Sequence, residues 1–187
     1  MLKELEKLET GIRAILEETH DNGEIVEAVT PLLSELLQVE GLVPAEYRDP
    51  PKDKYGQYLL YKPHDDCFSV VAFVWGPGHD SPVHDHLVWG VVGLFEGAVE
   101  ETRYKRISDT EVELVSTTIA KPGDISHVYP PNRDIHGVKN PFQEKAVTIH
   151  IYGTDIGKQP RNMHDITNGQ MHPIVTQHRN NKAYYSK

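Results

Sequence analysis

Only one cysteine, Cys67, occurs in the 187 residues, so no intrachain disulfide can form and a cysteine-based zinc cluster is excluded. No apolar run approaches the roughly 20 residues that a helix needs to cross a bilayer. The first twenty residues, MLKELEKLETGIRAILEETH, are charged throughout and lack the apolar core of a signal peptide. Basic residues are in deficit, and the net charge of −9 argues against unaided binding to nucleic acid or to an anionic membrane. These absences leave a cytoplasmic protein as the expectation. They say nothing of the substrate, because a positive pocket fits inside an acidic protein.

The length suits one core, and a single domain over 1–187 is expected. Leu5, Leu8, Ile12 and Ile15 recur at helical spacing, as do Ile25, Val29, Leu32, Leu33, Leu36 and Leu37 after the break at HDNG. Residues 1–42 therefore read as a helical cap, in which Pro31 is expected to kink or divide the second helix. A connector, VPAEYRDPPKDK, follows. Over 55–153 the period shortens to that of strands: QYLLY, CFSVVAFVW, VWGVVGLFEG, AVEETRYKRI, EVELVSTTIA and AVTIHIYG, separated by Gly, Pro, Asn and Asp. Strands this frequent predict a β-sandwich or barrel. Residues 154–187 read as an extended tail wrapped on it, with room for a short strand.

Two histidines of VHDHL, His84 and His86, stand two apart; in a strand both would face one side while Asp85 faces the other. With eleven histidines in the chain such a pair arises easily, and alone it is weak evidence for a metal. Around it, Gly78 lies six before His84, and Gly97 lies seven beyond Gly90. Downstream, PPNRDIHGVKN places Pro131 five before His136 and Asn140 four after it. These two blocks resemble the first and second motifs of the cupins, which are small jelly-roll β-barrels holding a metal inside. The resemblance implies His84, His86 and His136 as ligands, with His127 in GDISHVYPP as the alternative third. The other histidines, His20, His64, His79, His164, His172 and His178, read as solvated or structural. Gly90 stands where cupins usually place a glutamate ligand, and its lack of a side chain is expected to leave room at the metal. Three neutral imidazoles would leave a divalent ion its full charge and open positions for a thiolate or dioxygen.

In KAVTIHIYG, Val147, Ile149 and Ile151 alternate with Thr148, His150 and Tyr152, giving one apolar face and one polar row. Together with the histidine blocks, this row resembles the Ser-His-Tyr relay of the cysteine dioxygenase family, with threonine in place of serine. The resemblance runs from about Tyr55 to Arg161. It implies a mainly β cupin barrel carrying one Fe(II) per chain, and an activity that adds both atoms of O2 to the sulfur of a small thiol, giving a sulfinate. Thr148, His150 and Tyr152 would be the catalytic relay. Gly90 also replaces the cysteine that crosslinks to the relay tyrosine in the mammalian-type enzymes, so Tyr152 should be free.

Substrate-binding residues implied are Tyr152, Gln57 in YGQYLLY, and Arg161, nine residues beyond the relay tyrosine. Gln57, as a neutral donor where other members have arginine, is similar to the bacterial 3-mercaptopropionate dioxygenases. Cysteine and mercaptosuccinate are the alternative thiols. A carbon–carbon-cleaving diketone dioxygenase and a non-catalytic metal-binding cupin are the rival readings. Trp75 and Trp89 fit core packing, with a cavity wall as the alternative. No nucleic-acid or membrane partner is expected, and the sequence carries no sign of an oligomeric state.

Overall fold

The computed structural model describes residues 2–109 and 111–186, so residues 1, 110 and 187 of the expected domain lie outside it. Helix α1 spans Lys3–Glu18 and α2 spans Asn22–Leu36. The HDNG break supplies the N-cap of α2, where the Asp21 side chain accepts from the Glu24 backbone N–H at 3.0 Å. Leu5, Leu8 and Ile12 of α1 and Ile25, Val29, Leu33 and Leu36 of α2 are buried, as the helical spacing predicts. Pro31 does not divide α2, which runs from Asn22 to Leu36 through it. Val29 and Leu33 on either side of it are fully buried, and Thr30 Oγ1 bonds the Val26 carbonyl at 2.7 Å. Packing thus holds the helix across the missing N–H.

The remainder is mainly β, a cupin-type barrel of two sheets. The strands are β1 (Gly56–Tyr61), β2 (Ser69–Trp75), β3 (Gly90–Glu96), β4 (Val99–Arg106), β5 (Val112–Ala120), β6 (Ile125–Val128), β7 (Ile135–Lys139), β8 (Ala146–Tyr152), β9 (Arg161–His164) and β10 (Met171–Ile174). One sheet has the order β1-β2-β8-β3-β6, with every pairing antiparallel. The other has the order β5-β4-β7. Bridges from His84 to His136 of β7 and to Met163 of β9 carry this sheet on into the β9–β10 hairpin. Both faces of β2 and β8 are covered. Val70, Ala72 and Val74, with Val147, Ile149 and Ile151, pack under the helices; Val71, Phe73 and Trp75 point into the barrel with Ala146 and Tyr152. That double burial explains the unbroken apolar run VVAFVW, Val70 to Trp75.

All six expected strand segments are strands. The His84–His86 segment is not: it is an extended link that touches its neighbours through the His84 bridges. The tail is more regular than coil, since it contributes β9 and β10. Beyond them it runs along the free edge of β1, where Arg179, Tyr184 and Tyr185 N–H groups donate to the carbonyls of Gln57, Leu59 and Leu60. Among the described residues no helix is long and apolar enough to cross a membrane.

Candidate metal centre

His84, His86 and His136 meet inside the barrel, buried, with one ring nitrogen of each within 4.8 Å of the others. The backbone brings them together: His84 and His136 exchange N–H···O bonds of 2.9 and 3.0 Å across the bridge. Their other ring nitrogens are all spent. His84 Nδ1 is 2.8 Å from the Pro82 carbonyl, His86 Nδ1 is 2.7 Å from the Asp134 carbonyl, and His136 Nδ1 is 2.7 Å from Glu101 Oε1. Carbonyls accept only, and Glu101 is held ionised, so each Nδ1 carries a hydrogen and each Nε2 is the nitrogen left for a metal. His86 Nε2 is buried without any hydrogen-bond partner, the mark of a nitrogen waiting for a metal. Burial, the neighbouring imidazoles and the Arg161 charge hold His84 and His86 well below the usual histidine range, so both are neutral donors at pH 7. Burial, the largest single effect, raises the proton affinity of Glu101, but the bond to His136, the nearby Arg103 charge and the Ser126 hydroxyl together outweigh it and bring the carboxyl down to about 2.

His127 does not join them. Its Nε2 pairs with Thr30 Oγ1 at 2.7 Å, on the helix side of β6. Alternation along β6 puts Val128 into the barrel and turns His127 away from it.

Thr148, His150 and Tyr152 point into the barrel from β8. His150 lies 2.7 Å from Thr148 Oγ1 through Nε2 and 2.7 Å from the Tyr152 hydroxyl through Nδ1. Tyr152 stacks on His86, with ring centroids 5.4 Å apart. Burial holds His150 neutral and raises Tyr152, so the phenol keeps its hydrogen at neutral pH. The space over Gly90 is not open, contrary to expectation. A Cβ there would lie 2.7 Å from Tyr152 Cδ1 and 2.9 Å from Val128 Cγ2, so the glycine admits the phenol ring rather than leaving a void at the metal. Cys67 packs on the helix side of the sheet, with Phe68 and Tyr61, away from Tyr152.

Arg161 opens β9 and is buried, 4% exposed. Its Nε has no partner, and among the described residues it forms no ion pair. Its charge lowers the proton affinity of Tyr55 and Tyr152 as well as of the histidines, which locates it at the same end of the barrel. An unpaired buried cation is costly, and it suits an anion brought by a ligand. Gln57 is also buried, but it is not the donor expected. Both of its amide hydrogens go to the tail, to the Thr176 carbonyl at 2.9 Å and His178 Nδ1 at 3.2 Å. What Gln57 leaves free is Oε1, a buried acceptor without a partner.

Several residues of the site escape a sequence reading. Glu101 looks like any acid of an alternating strand, Asp134 and Pro82 act through backbone carbonyls, and His178 sits in the tail, holding Gln57 and Asp155. Trp75, read as core, also donates Nε1–H to Thr148 at 3.0 Å. Asp85 does face away from the metal side. It is fully buried and accepts from Asn162 N at 2.7 Å, Asn162 Nδ2 at 2.9 Å and His164 at 3.2 Å, and so ties the ligand segment to β9, which carries Arg161.

Residues 50–161 match the family model described as cysteine dioxygenase type I. Among solved structures, the chain is similar to an uncharacterised protein with a double-stranded β-helix domain from Klebsiella pneumoniae, at 17% identity and TM-score 0.49, covering 73% of this chain and 96% of that one. It is also similar to a protein from Thermus thermophilus, at 17% identity and TM-score 0.46, covering 58% and 91%. A cupin superfamily protein of Desulfitobacterium hafniense matches at 14% identity and TM-score 0.43, covering 57% and 84%.

Proposed function

We propose, for a chain that belongs to the cysteine dioxygenase type I family, that it is an Fe(II)-dependent dioxygenase of a small thiol carboxylate. The observation that carries the reading is a three-nitrogen face, His84/His86/His136, beside a buried Arg161 that lacks an anion and a Tyr152 that keeps its proton. An iron(II) on that face would supply the redox chemistry by which both atoms of O2 are added to a thiol sulfur, giving a sulfinate.

The protein's own part is binding and orientation. Arg161 can fork onto the substrate carboxylate. Tyr152, fixed by His150, offers a hydrogen bond beside it, and the enclosing aromatic side chains Tyr55, Phe73 and Trp75 keep water out. Of the thiols, 3-mercaptopropionate suits the site best, since it carries one carboxylate for Arg161, the one buried cation among the described residues, and no second charge to bury. The unpaired Gln57 Oε1 favours cysteine as the second reading, because an ammonium would satisfy that acceptor. Mercaptosuccinate would bring a second carboxylate, for which the described residues hold no second buried cation. The Thr-His-Tyr row also counts against a diketone substrate, which has no evident use for it.

The test is oxygen uptake by iron-loaded protein with 3-mercaptopropionate, cysteine, mercaptosuccinate and a diketone. Uptake with a thiol, and a sulfinate product, is expected. Uptake with the diketone alone would overturn the reading, and none with any compound would make the chain a metal-binding cupin without this activity.

A further inference from the structure

Hydrogen bonds along the relay run one way only, and the reason lies outside it. The indole N–H of Trp75 has no acceptor function, so the 3.0 Å contact with Thr148 Oγ1 can only be a donation to the threonine. Thr148 has one hydrogen of its own. Among the described residues its hydroxyl has two partners, Trp75 and His150 Nε2 at 2.7 Å, and only the second can accept. If His150 instead donated from Nε2, the Thr148 oxygen would take two hydrogens. Its own would then be left in a side chain 2% exposed with no protein acceptor. A cavity of about 140 Å³ reaches Thr148 and His150; Glu101, Thr118, Asp124 and Ser126 are its other polar lining residues, and none of these four bonds the Thr148 hydroxyl. Donation from Trp75 also polarises the Thr148 hydroxyl and strengthens it as a donor onward.

We infer that Trp75 is a positioning residue that sets the polarity of the chain Trp75→Thr148→His150→Tyr152. Thr148 donates to Nε2, so the neutral imidazole carries its hydrogen on Nδ1 and donates it to the Tyr152 oxygen at 2.7 Å. The phenol oxygen is thereby occupied as an acceptor. Its own hydrogen must leave the relay, toward the space it shares with His86 and Arg161. Tyr152 enters the site as a fixed donor. It discriminates in favour of ligand atoms that accept, a carboxylate oxygen or a reduced oxygen, and against those that donate.

The tautomer does not depend on the proposed activity; only the role of Tyr152 toward a thiol carboxylate rests on that reading. The experiment follows the ring nitrogens of His150 by 15N NMR, in full-length protein labelled at histidine and loaded with diamagnetic zinc. The resonance is assigned by its loss in His150→Asn. The expected result is a pyrrole-type Nδ1 and a pyridine-type Nε2. The reverse pattern, the signature of a water in the cavity taking the threonine hydrogen, would overturn the inference. In Trp75→Phe, which keeps an aromatic ring against Tyr55 and Phe73, the two shifts should move toward each other as the second tautomer gains population. Unchanged shifts in a folded Trp75→Phe would remove Trp75 from the role. Wild-type spectra decide the polarity even if that variant fails to fold. Absence of thiol oxidation beside the expected tautomer would count against the functional reading and not against this one.

Discussion

Glu101 Oε1 accepts the Nδ1 hydrogen of His136 at 2.7 Å, whereas the two histidines it joins turn the same hydrogen to backbone carbonyls. A carboxylate behind an imidazole fixes the ring and strengthens it toward a metal, so on the proposed metal His136 would be set apart from the other two ligands. Glu101→Gln keeps an acceptor of the same shape and removes the charge. Metal affinity should fall about 10- to 100-fold, measured by chelator competition. Thermal stability without metal should change far less.

Gly90 should tolerate no side chain. Its missing Cβ would lie within 3 Å of Tyr152 and of Val128, both of them buried, so one of them must shift. Gly90→Ala is expected to cost about 1–3 kcal/mol, a drop of several degrees in melting temperature for a chain this size. The Tyr152 ring should leave its stack on His86, and activity should fall further than stability. A variant as stable and active as the parent would show that the ring yields freely.

Arg161 sets binding against stability. Replaced by methionine, it should raise KM for a thiol carboxylate by about 10- to 100-fold, the worth of a charge-assisted bond. The ligand-free protein should at the same time become more stable, by about 1 kcal/mol or more, since an uncompensated buried cation has been removed. Kinetics and thermal melts on the same preparation check both signs. A loss of stability would mean that the guanidinium has a protein partner.

Asp155 gives the tail its acid sensitivity. Burial raises its proton affinity, but hydrogen bonds to His178 at 2.9 Å and Lys62 at 2.9 Å outweigh this and hold the carboxyl well below the usual range. The native pKa is the depressed one, so this contribution to stability is complete above pH ~4. It drains away as the pH falls through the folded value. Asp155→Asn should flatten the dependence of melting temperature on pH in that acid window, and should cost only about 1–2 kcal/mol at pH 7, since Lys62 keeps Asp66 at 2.6 Å and His178 keeps Gln57 at 3.2 Å.

The parts of the molecule legible in the sequence are those where burial writes a period. Val147, Ile149 and Ile151 against Thr148, His150 and Tyr152 announce both a strand and its two faces, and the helices announce their buried stripe in the same way. On β4 the contrast vanishes. Glu100 pairs with Lys139 at 2.9 Å while Glu101 turns inward, and nothing in VEETRYKR distinguishes the two acids. The strands β6 and β7 span only 4 and 5 residues, too short for a period to register, so His136 is reachable by motif spacing alone. Gln57 stands out in the sequence, but the use of its amide does not, because the partners that take its hydrogens lie more than a hundred residues away. Gly90 stands out as well, and there the expected void is a phenol ring: sequence shows that a side chain is missing and does not show what moves into its place.

That long reach from Gln57 to the tail imposes an order on the making of the site. The three histidines are joined by the bridge between His84 and His136, and their segment is tied to β9 through Met163 and Asn162, so the partners of this face all lie before the tail residues 176–178. Gln57 is held only once residues 176–178 have come back along β1, 119 to 121 positions later in sequence. Loop closure over that distance is among the slower steps open to a chain. Metal capture can therefore precede the fixing of Gln57, and under the proposed function a newly made molecule would acquire its reactive centre before it acquires its selectivity.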